Sequence, residues 1–210
     1  MSALAGSGIP VPALVEVHPG SILMTLMPGE RLDRVDHGLR LDQLRASASI
    51  LRRLHALKPP QGLPDAPDDA LIIERYREAG GPPLPFTIPP ANPPVFCHGD
   101  WTDGNLLTHR GRISAVIDWE AAHLGDPLRE LSRAAWGAAR KDPRSFAALA
   151  EGYGVPVAAL QPWVPIHAAE LWLWFAEAGP VEYFDELTRE LQGGMPQEAA
   201  ALQRRVPLEE

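Results

Sequence analysis

The sequence is short of several kinds of residue. Among its 19 Lys and Arg residues, two are lysines, Lys58 and Lys141. Residues 1–30 contain neither lysine nor arginine. With 27 acidic residues the formal net charge is −8, which argues against a protein that coats nucleic acid, because such proteins carry a basic face. The single Cys97 excludes an internal disulfide and is typical of a reducing compartment.

Long apolar segments are also missing. No stretch reaches eighteen apolar residues, and residues 1–20 lack the basic start and apolar core of a signal peptide. We therefore expect a cytoplasmic protein that does not contact a membrane. The 210 residues allow one ordinary domain, and the 45% of AVILMFWYC residues against 22% charged residues favour a folded chain.

Apolar periodicity predicts strands first and helices later. Residues 11–17 and 21–27 predict two neighbouring strands, and an amphipathic helix follows at 42–57 and ends at Pro59. Residues 106–117 predict a β-hairpin that closes at 110–111. Further helices are predicted at 69–79, at 127–139 with Asp126 as N-cap and Pro127 in the first turn, and at 143–151, 162–178 and 181–192. This order indicates an α+β protein.

A cluster of polar residues surrounds the hairpin. Asp100 and Asn105 lie five residues apart on one loop, and Asp118 follows the second hairpin strand. Because the two ends of a hairpin lie side by side, Asn105 and Asp118 can direct oxygen atoms at one point, with Asp100 nearby. Phosphoryl transfer from a nucleotide needs a carboxylate that accepts the proton of the attacking hydroxyl, and a carboxylate with an amide oxygen that hold Mg²⁺.

The spacing H-x-D-x4-N, followed by a strand and an Asp, is the kinase catalytic-loop pattern. With Gly99, the segment 117–120 and the segment 125–131, the sequence closely resembles the aminoglycoside phosphotransferase/choline kinase family of small-molecule kinases. Weaker support comes from residues 23–29, which resemble the family's hinge strand, and residues 54–57, which resemble part of its long C-lobe helix.

The resemblance implies a protein-kinase-like fold, the cofactors ATP and Mg²⁺, and phosphorylation of a hydroxyl group on a small molecule. It implies that Asp100 is the catalytic base and that Asn105 and Asp118 are the Mg²⁺ ligands. The backbone carbonyl of Thr25 and the backbone N–H of Met27 would bind adenine. Members of the family use aminoglycosides, choline, homoserine and sugars as acceptors.

Other residues receive supporting roles. We expect His98 to buttress the loop, Asp126 to cap a helix and brace the loop, and Asp103 to face solvent. A zinc site is disfavoured because no Cys/His pair has ligand spacing. The acidic residues of the segment 162–190 favour a cationic acceptor. The acceptor-pocket candidates are Glu170, Trp174 and Glu177.

The family's phosphate-covering loop and the lysine of an early strand have no counterpart here. We therefore expect residues 1–30 to be a remnant of the N-lobe with the hinge, and residues 31–210 to be the helical C-lobe. A partner chain or dimer is expected to cover the exposed hinge strands. A truncated chain, a degenerate relative and a lobe supplied by a partner all remain open. The alternative to an enzyme is a non-catalytic pseudo-kinase that binds or interacts, and an Mg²⁺-dependent phosphate hydrolase is a weaker third possibility.

Overall fold

The computed structural model describes residue 4 and residues 6–193, and it gives the backbone alone for His37 and Gly38. The strands are β1 Leu14–His18, β2 Ser21–Met24, β3 Glu30–Arg31, β4 Val95–Cys97, β5 Leu106–His109, β6 Arg112–Val116 and β7 His123–Gly125. The helices are α1 His37–His55, α2 Asp69–Glu78, α3 Pro127–Ala139, α4 Arg144–Tyr153, α5 Val164–Ala178 and α6 Val181–Gln192. The predicted α+β class is confirmed.

The strands form three small sheets. β1 pairs antiparallel with β2, β4 pairs antiparallel with β7, and β5 lies between β3 and β6. The predicted hairpin is β5–β6, and it closes at Arg110 and Gly111, which have φ values of 50° and 73°. Two positive φ values are what a two-residue hairpin turn requires, and glycine supplies the second without strain.

The helices follow the predicted pattern, and the largest difference is the start of α1. α1 begins at His37 rather than at residue 42, because Leu39 in its first turn is exposed and does not continue the buried apolar face. Asp126 caps α3 as predicted: its Oδ1 accepts from the backbone N–H groups of Leu128 and Arg129 at 2.8 and 3.3 Å. Within the described residues, no helix combines the length and the apolar character needed to cross a membrane.

The chain divides into two compact units. The first consists of Met1–Ala66 and Ala91–Leu160, and the second of Pro67–Pro90 and Gln161–Glu210. The first unit contains the seven strands with α1, α3 and α4, and its core is built around α1, which packs on α4. Its fully buried side chains include Leu44, Leu51, Leu54, Leu131 and Leu149. The predicted division at residue 30 stays a prediction, although β1, β2 and β3 belong to the same unit as the hairpin.

The second unit is helical and its core is aromatic. Tyr76 of α2 lies edge-on to Trp172 of α5 at 5.1 Å between ring centroids, and the Trp172 indole N–H donates to Thr188 of α6 at 2.8 Å. Phe184 contacts the same indole at 5.0 Å. These contacts hold the three helices of this unit together.

The β1–β2 hairpin is exposed along both strands. Val17 and Ile22, which are register partners, are 62% and 52% exposed, and Leu26 just beyond β2 is 97% exposed. Apolar strands in this position invite pairing with another chain. The partner chain expected from the sequence remains a prediction.

Candidate active site

The loop between β4 and β5 and the end of β6 bring the predicted site residues together. Asp103–Asn105 forms one 3-10 turn, after which the chain enters β5. The backbone N–H of Ile117 donates to the carbonyl of Asn105 at 3.0 Å, so Asp118 follows directly on a residue bonded to Asn105. This is the juxtaposition that the hairpin predicted. The chemical roles of Asn105 and Asp118 stay predictions.

Asp100 is held by two side chains. The amide nitrogen of Asn105 donates to the Asp100 carbonyl at 3.0 Å and to Asp100 Oδ2 at 2.7 Å. A guanidinium nitrogen of Arg133, on α3, lies 3.5 Å from Asp100 Oδ1. Since the Asn105 nitrogen is engaged with Asp100, the Oδ1 oxygen of the same amide is the atom that can bind a cation.

Asp118 has an unusual backbone conformation. Its φ is 62°, in the left-handed region that few residues other than glycine adopt, and its side chain is exposed. Asp tolerates this region better than bulky residues do, and such outliers concentrate at functional sites. The carboxylate of Asp118 and the amide oxygen of Asn105 form an all-oxygen donor set, which suits Mg²⁺. The residues present therefore fit the metal.

His98 links the two parts of the site. It is buried, its Nδ1 accepts from the Asp100 N–H at 3.2 Å, and its Nε2 lies 3.0 Å from the carbonyl of Ile117. Because a carbonyl only accepts and an amide N–H only donates, the ring carries its proton on Nε2. Burial lowers the pKa of His98, which agrees with this neutral form. His98 therefore joins the Asp100 N–H to the carbonyl of Ile117, and its role in supporting catalysis stays a prediction.

Gly99 permits the close approach of the loop to residue 121. Its φ is 86°, and a Cβ atom there would lie 2.0 Å from the carbonyl oxygen of Ala121. A side chain is excluded both by the backbone conformation and by this contact. The glycine between His98 and Asp100 is thus a steric requirement of the site.

Glu130 of α3 organises the start of the loop, a role that the sequence did not reveal. Its Oε1 accepts from the Gly99 N–H at 2.6 Å, and its Oε2 accepts from the His98 N–H at 3.2 Å and contacts His55 Nε2 at 2.7 Å. Burial alone would raise the pKa of the Glu130 carboxyl, but the His55 bond and the Gly99 N–H outweigh it and lower that pKa. Glu130 is therefore a buried carboxylate that binds two backbone N–H groups of the loop.

His55, Cys97 and Glu130 form a buried cluster whose ligand atoms lie within 4.8 Å of one another. Burial raises the pKa of the Cys97 thiol far above its usual value, which favours the neutral thiol. His55 is already bonded through both ring nitrogens, to Glu130 and to the Tyr153 hydroxyl. We interpret the cluster as structural, and the expectation that the chain holds no zinc site stays a prediction.

The prediction for Asp103 is wrong, because its carboxylate does not face solvent. Its side chain is 9% exposed, and it pairs with Arg40 of α1 at 2.7 Å and with Lys141 at 3.0 Å. The 3-10 turn of the loop directs this carboxylate towards α1. No local pattern indicates this contact, since Arg40 lies 63 residues away along the chain.

Asp126 braces a segment upstream of the loop. Besides capping α3, its Oδ2 accepts from the backbone N–H of Asn92 at 2.7 Å and from the Asn92 side-chain amide at 3.0 Å. Asn92 lies in the segment that enters β4, and β4 leads to His98. Asp126 therefore contacts the segment that leads to the loop, and the support of the loop that we expected from it stays a prediction.

The segment around Thr25 and Met27 continues from β2 to the hairpin. The Thr25 N–H donates to the Ala13 carbonyl and its hydroxyl accepts from the Ala13 N–H, both at 2.9 Å. Three residues after Met27, the chain reaches β3, which pairs with β5. The predicted adenine-binding segment thus leads directly into the sheet whose strand β5 begins just after Asn105. Its binding role stays a prediction.

The acceptor candidates lie on α5 in the second unit. Glu177 is engaged in an ion pair with Arg75 of α2, and Glu170 contacts His167 at 3.5 Å. Trp174 is 54% exposed. The spacing of Glu170, Trp174 and Glu177 places them on one side of the helix, and their role stays a prediction.

The loop, the hairpin and the helices that brace them define a kinase-like class of fold, and comparison with known proteins agrees. The model of the phosphotransferase enzyme family matches residues 1–164. Because this match covers more than half of the chain, the chain belongs to the phosphotransferase enzyme family. A curated relative, acyl-CoA dehydrogenase family member 10 of Mus musculus, is 26% identical over 165 residues. That match covers 63% of this chain and 15% of the relative's length.

Solved structures share the fold. A choline/ethanolamine kinase family protein from Mesorhizobium loti superposes with a TM-score of 0.62 at 16% identity, covering 96% of this chain and 81% of that one. An aminoglycoside-3'-phosphotransferase of type VIII superposes with a TM-score of 0.59 at 21% identity, and the match covers 79% of this chain and 76% of that one. A third structure is the aminoglycoside phosphotransferase APH(3'')-Id from Streptomyces rimosus in complex with ADP and streptomycin. It superposes with a TM-score of 0.56 at 18% identity, and the match covers 79% of this chain and 77% of that one. The chain therefore has an α+β, protein-kinase-like fold.

Proposed function

We propose that the protein transfers the γ-phosphoryl group of Mg·ATP to a hydroxyl group of a small molecule. The observation that carries this proposal is the convergence of Asp100, Asn105 and Asp118 at the base of one hairpin. The Asn105–Ile117 backbone bond joins the two ends, and the Asn105 amide bonds to Asp100. The nucleotide in solved structures of the fold, such as the ADP complex from Streptomyces rimosus, supports the same proposal.

In the proposed reaction, Asp100 orients the acceptor hydroxyl and takes its proton as the acceptor oxygen bonds to the γ-phosphorus. The bond between that phosphorus and the bridging oxygen breaks, and ADP leaves with the electron pair. Mg²⁺, when bound, neutralises charge on the β- and γ-phosphates. Asn105 and Asp118 would hold it, while Arg133 and the Asn105 amide fix the direction of the Asp100 carboxylate.

The first test is calorimetric titration of Mg·ATP into the 210-residue chain. We expect micromolar binding, and we expect Asp118→Asn to weaken it at least roughly tenfold, because a neutral amide binds Mg²⁺ poorly in place of a carboxylate. Asp42→Asn is the matched control, since that α1 carboxylate is 77% exposed. Equal binding by Asp118→Asn and Asp42→Asn would remove Asp118 from the metal site.

The exposed β1–β2 hairpin favours one alternative, a binding or interaction protein. Calorimetry with Mg·ATP and an assay of ADP release together separate this alternative from the kinase. Binding of Mg·ATP, with neither ADP release nor phosphoryl transfer to any acceptor offered, would support the non-catalytic function. ADP release that depends on an acceptor would support the kinase.

For the acceptor we propose a cationic molecule. Exposed acidic residues on α6, namely Glu182, Asp185 and Glu186, accompany the exposed Trp174 of α5 in the second unit. We expect streptomycin or choline to be phosphorylated in preference to glucose or glycerate, measured as ADP release and as phosphate ester by ³¹P NMR. Phosphorylation of the neutral or anionic compounds alone would contradict this proposal.

A further inference from the structure

Asp103 is a buried charge in the centre of the catalytic loop. It lies three residues after Asp100 and two before Asn105, and its carboxylate is 9% exposed. A buried carboxylate is costly unless cations and hydrogen bonds compensate it. Two cations compensate this charge, Arg40 on α1 and Lys141 just after α3.

The arrangement is not one that stability alone would select. Buried ion pairs can often be replaced by apolar residues with little loss of stability. The Arg40 side chain is 4% exposed, and within the described residues its Nε atom has no hydrogen-bond partner. Whatever the pair contributes to stability, it holds residue 103 in one position.

That position is coupled to both functional side chains. The Asn105 N–H donates to the Thr102 carbonyl at 3.0 Å, and the Thr102 N–H donates to the Asp100 carbonyl at 2.9 Å. The Asn105 amide then returns to Asp100 Oδ2 at 2.7 Å. Holding Asp103 between α1 and Lys141 therefore limits how far Asp100 and Asn105 can move relative to each other.

We propose that Asp103 is a positioning residue, which through Arg40 and Lys141 fixes the geometry of the Asp100–Asn105 loop. The effect on turnover that we expect rests on the proposed phosphotransferase function. The effect on hydrogen exchange in the loop does not depend on that function, so the two can be tested separately.

The test compares Asp103→Asn with Asp42→Asn, which makes the same change at a 77% exposed carboxylate on α1. We expect Asp103→Asn to lower turnover with Mg·ATP and streptomycin roughly 10- to 100-fold, because small displacements of reacting groups are costly. We expect Asp42→Asn to leave turnover per folded molecule unchanged.

Hydrogen exchange supplies a readout that does not require activity. In Asp103→Asn the amides of Thr102 and Asn105 should exchange faster than in the wild-type chain, while the amides of α3 keep their protection. Lys141→Gln should have a smaller effect, because Lys141 is 51% exposed, and adding it to Asp103→Asn should change little further.

Each result decides something. A wild-type chain that transfers no phosphate contradicts the proposed function, while faster exchange in the loop of Asp103→Asn would still support the positioning role. Unchanged exchange in the loop overturns that role whether or not the chain is active. Faster exchange with wild-type turnover would also overturn it, because the loop would then not need Asp103 for catalysis.

Discussion

Asp100→Asn is expected to lower the rate of phosphoryl transfer by at least about 100-fold while leaving Mg·ATP bound. Asn has nearly the shape of Asp and its oxygen can still accept from the Asn105 amide, so the loop should keep its fold. What is lost is the group that takes the acceptor proton, and such a loss typically costs about 10²- to 10⁴-fold in rate. ADP release with an acceptor measures the rate, and calorimetry measures the affinity for Mg·ATP, which should stay within a few-fold.

The control for this variant is Asp42→Asn, which makes the same change at an exposed carboxylate on α1. If Asp100→Asn reduced nucleotide binding as strongly as it reduced turnover, Asp100 would be a metal ligand rather than a base. If turnover stayed at the wild-type level, the proposed role of Asp100 would be wrong.

The parts of this structure that the sequence predicted are those specified by local signals. The hairpin is defined by two short apolar runs and a turn at Arg110 and Gly111, and the start of α3 is defined by Asp126 and Pro127. Once the hairpin is placed, the proximity of Asn105 and Asp118 follows, because the ends of a hairpin must meet. The chemistry that the pattern of the loop predicts also uses no tertiary information, and it stays a prediction.

The parts that escaped prediction depend on contacts between distant segments. Asp103 lies in a loop whose composition suggests exposure, and only the fold brings Arg40, 63 residues away, and Lys141, 38 residues away, to its carboxylate. Glu130 was recognisable as part of a motif, but its partner His55 is 75 residues away. Pairings at such distances have no periodicity or spacing that a single sequence can reveal.

Glu130→Gln is expected to destabilise the first unit by about 3 kcal/mol, because it leaves buried donors unpaired. Three N–H donors converge on the two carboxylate oxygens, from His98, Gly99 and His55. Glutamine offers one oxygen and an NH₂ group, so at least one donor would face another donor. Urea unfolding measures the loss, and Glu151→Gln is the matched control, since Glu151 is 67% exposed and its pair with Arg45 is a surface ion pair worth well under about 1 kcal/mol.

The same variant has a predicted pH dependence. The pKa of Glu130 is lower in the folded chain than its ordinary value of 4.5. A carboxyl with a lowered pKa stabilises the fold above its unfolded pKa, and this contribution is lost as the pH falls through the folded value. The difference in unfolding free energy between wild type and Glu130→Gln should therefore be full at pH 7 and should shrink below about pH 4, where the protonated carboxyl resembles the amide. A difference in unfolding free energy that stayed constant down to pH 3 would mean that the charge of Glu130 does not hold the loop. The shape of the side chain alone would then hold it.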